Sequence, residues 1–421
     1  MSPTPHAAAV LVVAAVLAVV VAPGIGVLAA LAVLVAVGID ARAVRAAPSV
    51  ARELPATLSQ GRGAAFGLRT AAPGAAAVRV RQALPADLRL DAAEADGALR
   101  ATLTGLRRGR HLLPAAAVRL TGPLGLATWT HVAGEEQEVR VFPDLVTAQR
   151  LALAVRQGRF REDGSTSRGP LGLGTEFEAV REYQPDDDVR QINWRATARH
   201  GRPMSNQFRL EQDRDVVCLA DAGRLMAAPV TVDAGEIPKT GLDVALDVVT
   251  AVCLVADEVG DRCGAVAFDE ELRAQVPPQR GGARRVVQAL YHVEPRGVDA
   301  DYELAFRAVG AGKRAFVLVL TDLVEEAAAR PLLAAMPVLT QRHAVLVASP
   351  LDRTLAALAA NDGAERGARQ RTVAATEVLA ARERAAASLR RLGAGVLEAP
   401  PEGLPAACVR AYLRAKSRGR L

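Results

Sequence analysis

Lysine is nearly absent: the 421-residue chain has it only at 239, 313 and 416, so arginine carries its net charge of +6. Those arginines lie scattered among acidic residues without a run of like charge, which argues against a nucleic-acid footprint. Aromatic residues make up only 3% of the chain. Cysteine is sparser still, with four residues. Cys218, Cys253, Cys263 and Cys408 have neither metal-ligand nor disulfide-framework spacing, and read as small buried apolar residues in a reducing compartment. A phosphate loop is missing too, since GRG, GPLGLG and GGAR all lack the Lys-Ser/Thr that completes one, so ATP hydrolysis by this chain is not expected. Neither a His or Cys ligand set nor a nucleophile–base pair can be named. His111, His131 and His200 stand isolated and are expected to be solvated or to cap turns.

Charge is absent from Ala7 to Ile39. One helix over that run would measure roughly 50 Å, well beyond a hydrocarbon core of about 30 Å. Pro23, Gly24 and Gly26 near its middle predict a transmembrane hairpin turning at APGIG, with spans over about 7–21 and 27–39. Arg42, Arg45 and Arg52 follow directly, and the positive-inside rule then places the soluble body in the cytoplasm. A cleaved signal peptide is disfavoured because no basic segment precedes the apolar run. The expectation is a multi-pass protein of the cell membrane with cytoplasmic soluble domains.

Beyond the anchor, residues 50–145 show short strand-like runs such as AVRVRQAL, ALRATLTGL and QEVRVFPD, separated by turn clusters about every ten residues. That spacing predicts an immunoglobulin-like β-sandwich, with no constellation suited to chemistry. Residues 146–214 read as a linker followed by a charged segment. From 215 to 421 apolar strands alternate with amphipathic helices. The strands are DVVCLAD, CGAVAFD, RAFVLVLTD, HAVLVAS and AGVLEAP, and the pattern predicts a doubly wound, mostly parallel α/β sheet closed by a C-terminal helix. Ligands of such sheets collect at the carboxyl ends of the strands, where Asp221, Asp269 and Asp322 stand.

Asp221, opening D-A-G-R-L, and Thr321-Asp322 a hundred residues later resemble a von Willebrand factor A domain, in which a D-x-S-x-S loop, a Thr and a later Asp bind Mg²⁺. Gly223 and Leu225 occupy the two serine positions, and no Thr stands between Gln275 and Arg314 for the third loop. Hard cations need oxygen ligands, so no metal or other cofactor is expected here; Asp221 and Asp322 remain weak candidates for Mg²⁺.

The charged segment has the sequence LGLGTEFEAVREYQPDDDVRQINWRATARHGRPMSNQF at residues 171–208. It resembles the hallmark of the bacterial family catalogued as domain of unknown function 58, DUF58, and the likeness runs over the whole chain. That resemblance implies a membrane-bound partner of a MoxR-type AAA+ ATPase, acting in assembly or maturation of other proteins, with no established reaction. The signature residues are Glu176, Arg181, Tyr183, Pro185, Asp187, Asp188, Arg190, Asn193, Trp194, Arg195 and Arg199. Read physically, Gln184-Pro185-Asp186-Asp187 suits a turn. Asp187 and Asp188 are then placed to meet Arg190, Arg195 or Arg199 in bidentate pairs. Trp194 is expected to pack toward the neighbouring domain or to serve as a hot spot for a partner. The favoured reading is a non-enzymatic membrane-anchored scaffold. The alternative is a metal-dependent hydrolase using Asp221, Asp322 and the cluster Asp186, Asp187 and Asp188. A weaker third is a protein whose arginines bind anionic lipid.

Overall fold

The computed structural model describes residues 2–20, 23–158, 176–184, 187, 189–209, 213–230, 238–310, 312–323, 326–360 and 367–417. Of the signature residues, Pro185 and Asp188 lie outside these, as does Asp186 of the alternative carboxylate cluster. The chain has mixed α/β content, an apolar helix near its N-terminus and several sheets, and it divides into two compact units, 1–142 and 143–421.

In the first unit a two-residue strand β1 (Ser2–Pro3) precedes helices α1 (Pro5–Val20) and α2 (Pro23–Ala43). Gly24 and Gly26 do not form the turn that APGIG suggests. The second helix already begins at Pro23, whose fixed φ and missing N–H suit a first helical turn, and both glycines fall inside it. Gly24–Ala43, with a mean hydropathy of 2.3, is long and apolar enough to cross a membrane; α1 has 16 residues and is shorter. The small residues Ala7 and Ala14 are buried, whereas Val12, Val16, Val27, Leu28, Leu31 and Leu34 are exposed. Small residues inside and large apolar ones outside invert the order of a soluble helix pair.

Eleven further strands complete this unit: β2 (Ser49–Glu53), β3 (Thr57–Ser59), β4 (Gly63–Ala71), β5 (Ala77–Arg81), β6 (Leu88–Leu90), β7 (Glu94–Asp96), β8 (Leu99–Gly105), β9 (Gly109–Leu113), β10 (Ala116–Thr121), β11 (Ala127–Ala133) and β12 (Gln137–Phe142). They form sheets of order β1-β11-β10-β5-β7, β2-β4-β8-β6 and β3-β12-β9, with β3/β12 the one parallel pair among the described residues of this unit. Alternate residues, among them Leu68, Val80, Leu99, Leu103, Val118, Val139 and Val141, face a common core. HLLPAAAVRLTG is split into β9 and β10 around Pro114, which cannot donate to a ladder. His111 and His131 are buried: His111 Nε2, 2.9 Å from the Arg107 carbonyl, caps the β8–β9 turn, whereas His131 Nε2 lies 2.9 Å from the Val44 carbonyl and is not solvated.

The second unit opens with α3 (Leu145–Arg156). A hairpin of β13 (Glu176–Glu182) and β14 (Met204–Arg209) follows, enclosing a 3-10 turn at Val189–Gln191 and α4 (Trp194–His200). Then come β15 (Asp215–Asp221), a small pair β16 (Pro229–Val230) and β17 (Lys239–Thr240), α5 (Gly241–Glu258), β18 (Arg262–Phe268), β19 (Leu272–Gln279), α6 (Ala283–Leu290), α7 (Tyr302–Val309), β20 (Ala315–Leu320), α8 (Glu326–Thr340), β21 (Ala344–Pro350), α9 (Arg353–Ala359), α10 (Ala368–Arg391), β22 (Gly395–Ala399) and α11 (Leu404–Ser417). The sheet order is β19-β18-β15-β20-β21-β22, parallel except for β19. Pro277 and Pro278 lie in that strand, and an edge strand tolerates them. Successive residues of β15 and β20 enter opposite cores. Val216, Cys218, Phe316 and Leu318 pack with α5, α6 and α11, while Val217, Leu219, Val317 and Val319 pack with α7, α8 and α10. Burial on both faces explains why these strands are apolar throughout. The four cysteines are free and buried within this unit.

Candidate functional site

Two polar features of the second unit hold the residues singled out by sequence. The first lies at the carboxyl ends of the central strands. The chain leaves β15 toward β18 on one side and resumes at β20 on the other, which makes the β15/β20 boundary the topological switch point. Asp221 ends β15 and is buried. Its Oδ1 accepts from the Gly223 amide at 2.7 Å, and its Oδ2 accepts from the Thr321 hydroxyl at 2.7 Å and the Tyr302 hydroxyl at 2.8 Å. Burial pushes the Asp221 carboxyl above its ordinary range, against the opposing pull of those donors. Burial also pushes the Tyr302 phenol well up, and the adjacent Asp221 charge adds to it.

Asp322 is tied down from another direction. Its Oδ1 accepts from Arg382 Nη1 at 2.7 Å and from Ser349 Oγ at 3.1 Å. Arg382, on α10, is only 4% exposed; it also donates to Glu398 at 3.0 Å, to Ser349 Oγ at 2.8 Å and to the Pro350 carbonyl at 3.1 Å. Asp269, at the end of β18, pairs with Arg273 at 2.8 Å. Every one of these strand-end carboxylates thus has an internal donor.

This donor set does not fit the Mg²⁺ that a von Willebrand factor A resemblance implies. A Cβ on Gly223 would stand 2.9 Å from the Val298 carbonyl, so the first serine of the metal loop has no room. A tyrosine hydroxyl and a guanidinium lie against the carboxylates where a hard cation requires oxygen acceptors. Among the described residues no group of three or more His, Cys, Asp or Glu side chains is arranged to hold a metal. Tyr302 and Arg382 had no sequence signal: one opens a short helix, and the other sits in an alanine-rich helix that reads as amphipathic and exposed.

The second feature is the hairpin β13–β14. Glu176 lies opposite Arg209 and Arg181 opposite Ser205, with a bulge between Phe177 and Ala179. Asp187 does not meet Arg190, Arg195 or Arg199, as its position in the sequence suggests. Its Oδ1 accepts from Arg181 Nη2 at 2.5 Å and its Oδ2 from the Gln184 amide at 2.9 Å. The β-strand brings Arg181 alongside the turn, a proximity that helical spacing could not supply. The Arg181 guanidinium holds the Asp187 carboxyl below its ordinary range. Tyr183 closes the same turn by donating to the Asp187 carbonyl at 3.1 Å.

Asn193 caps α4. Its side-chain oxygen accepts from the Ala196 amide at 2.9 Å, while its Nδ2 donates to Asn206 Oδ1 at 2.7 Å. Thr197, unmarked in the sequence reading, accepts from the Met204 amide at 3.0 Å and fastens α4 to β14. Trp194 is 70% exposed. Arg190, Arg195, Arg199 and His200 are exposed around it. Asn193, Asp187, Arg181 and Tyr183 therefore build the scaffold, and Trp194, Arg195 and Arg199 form its outer surface.

Comparison with known proteins gives the same assignment to a family. An uncharacterized protein of Mycobacterium tuberculosis is 28% identical over 222 residues, which cover 50% of this chain and 66% of that protein; one of Mycobacterium bovis aligns identically. The uncharacterized protein YeaD of Bacillus subtilis is 27% identical over 121 residues, 28% of this chain and 29% of that one. The chain thus spans just under two thirds of the length of the mycobacterial relatives. Residues 179–392, just over half of the chain, match the family described as Protein of unknown function DUF58, and the chain belongs to that family.

Proposed function

We propose that this DUF58 protein is a membrane-anchored, non-enzymatic adaptor that presents the β13–α4–β14 surface to a protein partner. The partner implied by the family resemblance is a MoxR-type AAA+ ATPase acting in assembly or maturation of other proteins. The observation that carries this reading is Trp194: a large aromatic, 70% exposed, on a helix whose cap, turn and return strand are all fixed by hydrogen bonds. Rigid exposed Trp flanked by Arg is the composition of an interface hot spot. The strand-end carboxylates, held by Tyr302, Thr321 and Arg382, leave the α/β unit as a framework and not a centre of reaction.

In this reading α1 and α2 form a multi-pass anchor, and exposed Arg42 and Arg45 keep the sheets of the first unit and the whole second unit in the cytoplasm. The β unit is an immunoglobulin-like sandwich, and the α/β unit is a von Willebrand factor A-like domain without its metal. Affinity purification of the full chain from detergent-solubilised membranes tests the proposal. The AAA+ ATPase is expected to co-purify, and Trp194→Ala or Arg195→Glu to lower its recovery at least tenfold. Failure to recover an ATPase, or equal recovery by both variants, overturns it.

A further inference from the structure

The turn between β10 and β11, GPLGLA at 122–127, lies within hydrogen-bond reach of both apolar helices. Asp40, on the last turn of α2, is completely buried. Its Oδ1 accepts from the Leu124 amide at 2.7 Å, and its Oδ2 accepts from the Leu126 amide at 2.8 Å and the Ala127 amide at 2.7 Å. Gly122 is required by this approach, because a Cβ there would fall 2.3 Å from the Asp40 carboxyl carbon. At the start of α1, Thr4 caps the helix by accepting from the Ala7 amide at 3.2 Å and donates to the Gly125 carbonyl at 2.7 Å. Strand β1 adds a pairing of Ser2 and Pro3 with β11. The chain leaving α2 is fastened as well, through His131 and the Val44 carbonyl.

We infer that the turn at 122–127 is itself a membrane contact, with Pro123 and Leu124 seated at the headgroup–acyl boundary of the bilayer that α2 crosses. The inference rests on the reading of α2 as a membrane span. A carboxylate on an apolar span is costly unless its oxygens are hydrogen-bonded, and the three amides of the turn meet that need. The Leu124 amide bonds the residue directly after Ile39, an exposed apolar residue of α2. Residue 40 stands about 4.5 Å before the end of the helix at Ala43, so the Leu124 backbone is level with the final apolar turn. The Leu124 side chain is 57% exposed at that level, and Pro123 beside it is exposed. Exposed Arg42 and Arg45 follow two and five residues after Asp40, where anionic headgroups begin. The β unit is thereby mounted on the membrane at a fixed depth and does not swing from a loose tether.

Fluorophores on single cysteines in the full chain test this, in nanodiscs of phosphatidylcholine and phosphatidylglycerol carrying brominated acyl chains. The native cysteines are buried, so labelling is confined to the introduced one. Leu31→Cys reports on the span, Leu124→Cys on the turn, and Val132→Cys, 78% exposed and about 17 Å further along β11, on the solvated sheet. The expected result is strong quenching at 31 by deep bromines, quenching at 124 by shallow bromines, and none at 132. Asp40→Ala is expected to lower quenching at 124 at least twofold and to leave that at 31 unchanged. Quenching at 31 with none at 124 overturns the inference and leaves the span intact. Absence of quenching at 31 removes the span reading and this inference with it. The Leu124→Cys measurement in the Asp40 background decides the matter should Asp40→Ala fail to fold.

Discussion

Replacing Arg382 with Met tests how the strand ends of the α/β unit are held. Met keeps most of the aliphatic stem, so the loss is mainly one of charge and hydrogen bonds, not volume. In the native structure the guanidinium reaches Asp322 at 2.7 Å, Glu398 at 3.0 Å, Ser349 at 2.8 Å and the Pro350 carbonyl at 3.1 Å. Removing one member of a buried ion pair costs roughly 3–5 kcal/mol, because the remaining charges stay uncompensated. The Asp322 and Glu398 side chains retain 17% and 19% exposure, so water reaches them, and the lower end of that range applies. About 3 kcal/mol corresponds to a fall of roughly 6–12 °C in Tm for a unit of this size. Calorimetry of the full chain in detergent measures it. The double variant Arg382→Met/Asp322→Asn is expected to recover part of the loss, since it removes one of the orphaned charges. A loss below about 1 kcal/mol, or strict additivity in the cycle, refutes the argument. The same melts in millimolar Mg²⁺ supply a second check. A ligand bound only by the folded state adds about 2.7 kcal/mol at a hundredfold excess over Kd, so a clear rise in wild-type Tm contradicts the internally neutralised site.

Three further outcomes follow from the geometry. Gly223→Ser forces a Cβ to within 2.9 Å of the Val298 carbonyl and is expected to cost about 1–3 kcal/mol; a melt equal to wild type refutes the steric account of the missing serine. Asn193→Ala removes the α4 cap and the bond to Asn206, a loss of about 1–2 kcal/mol, and hydrogen exchange should show amides of β13 and β14 exchanging about tenfold faster or more; unchanged protection refutes it. His343 is buried with its Nδ1 accepting from the Ala315 amide, and burial holds its pKa below the ordinary value. Its neutral form therefore supports the fold above the ordinary imidazole pKa of about 6.5, and that contribution is lost as pH falls from there toward the lower folded value. His343→Gln should flatten the decline in Tm between neutral and mildly acidic pH; an unchanged slope refutes the assignment.

The alternation of apolar strands and amphipathic helices after residue 215 was legible, because a parallel strand covered on both faces must be apolar throughout. All five strands read there are present, from β15 to β22. The antiparallel β19 was missed: two prolines disguise an edge strand whose free N–H positions need no partner. In the charged segment, composition marked an unusual region but could not assign its pairs. The turn at 184–187 pointed Asp187 at downstream arginines, whereas strand β13 delivers Arg181 to it.

What the sequence determined by itself is whatever follows from periodicity and local chemistry. That includes an uncharged apolar stretch able to span a membrane, the alternation of parallel strands and helices after residue 215, and the family signature. What only the tertiary structure decided is where polar groups find their partners across long separations. Asp221 meets Thr321 a hundred residues away, Asp322 meets Arg382 sixty residues away, and Asp40 meets the amides of Leu124, Leu126 and Ala127. Such pairings depend on which loops a sheet brings to one end, and no period along the chain records that. A buried carboxylate must find donors wherever the fold places them: Asp221 found tyrosine, threonine and a backbone amide, Asp322 arginine and serine, and Asp40 three backbone amides.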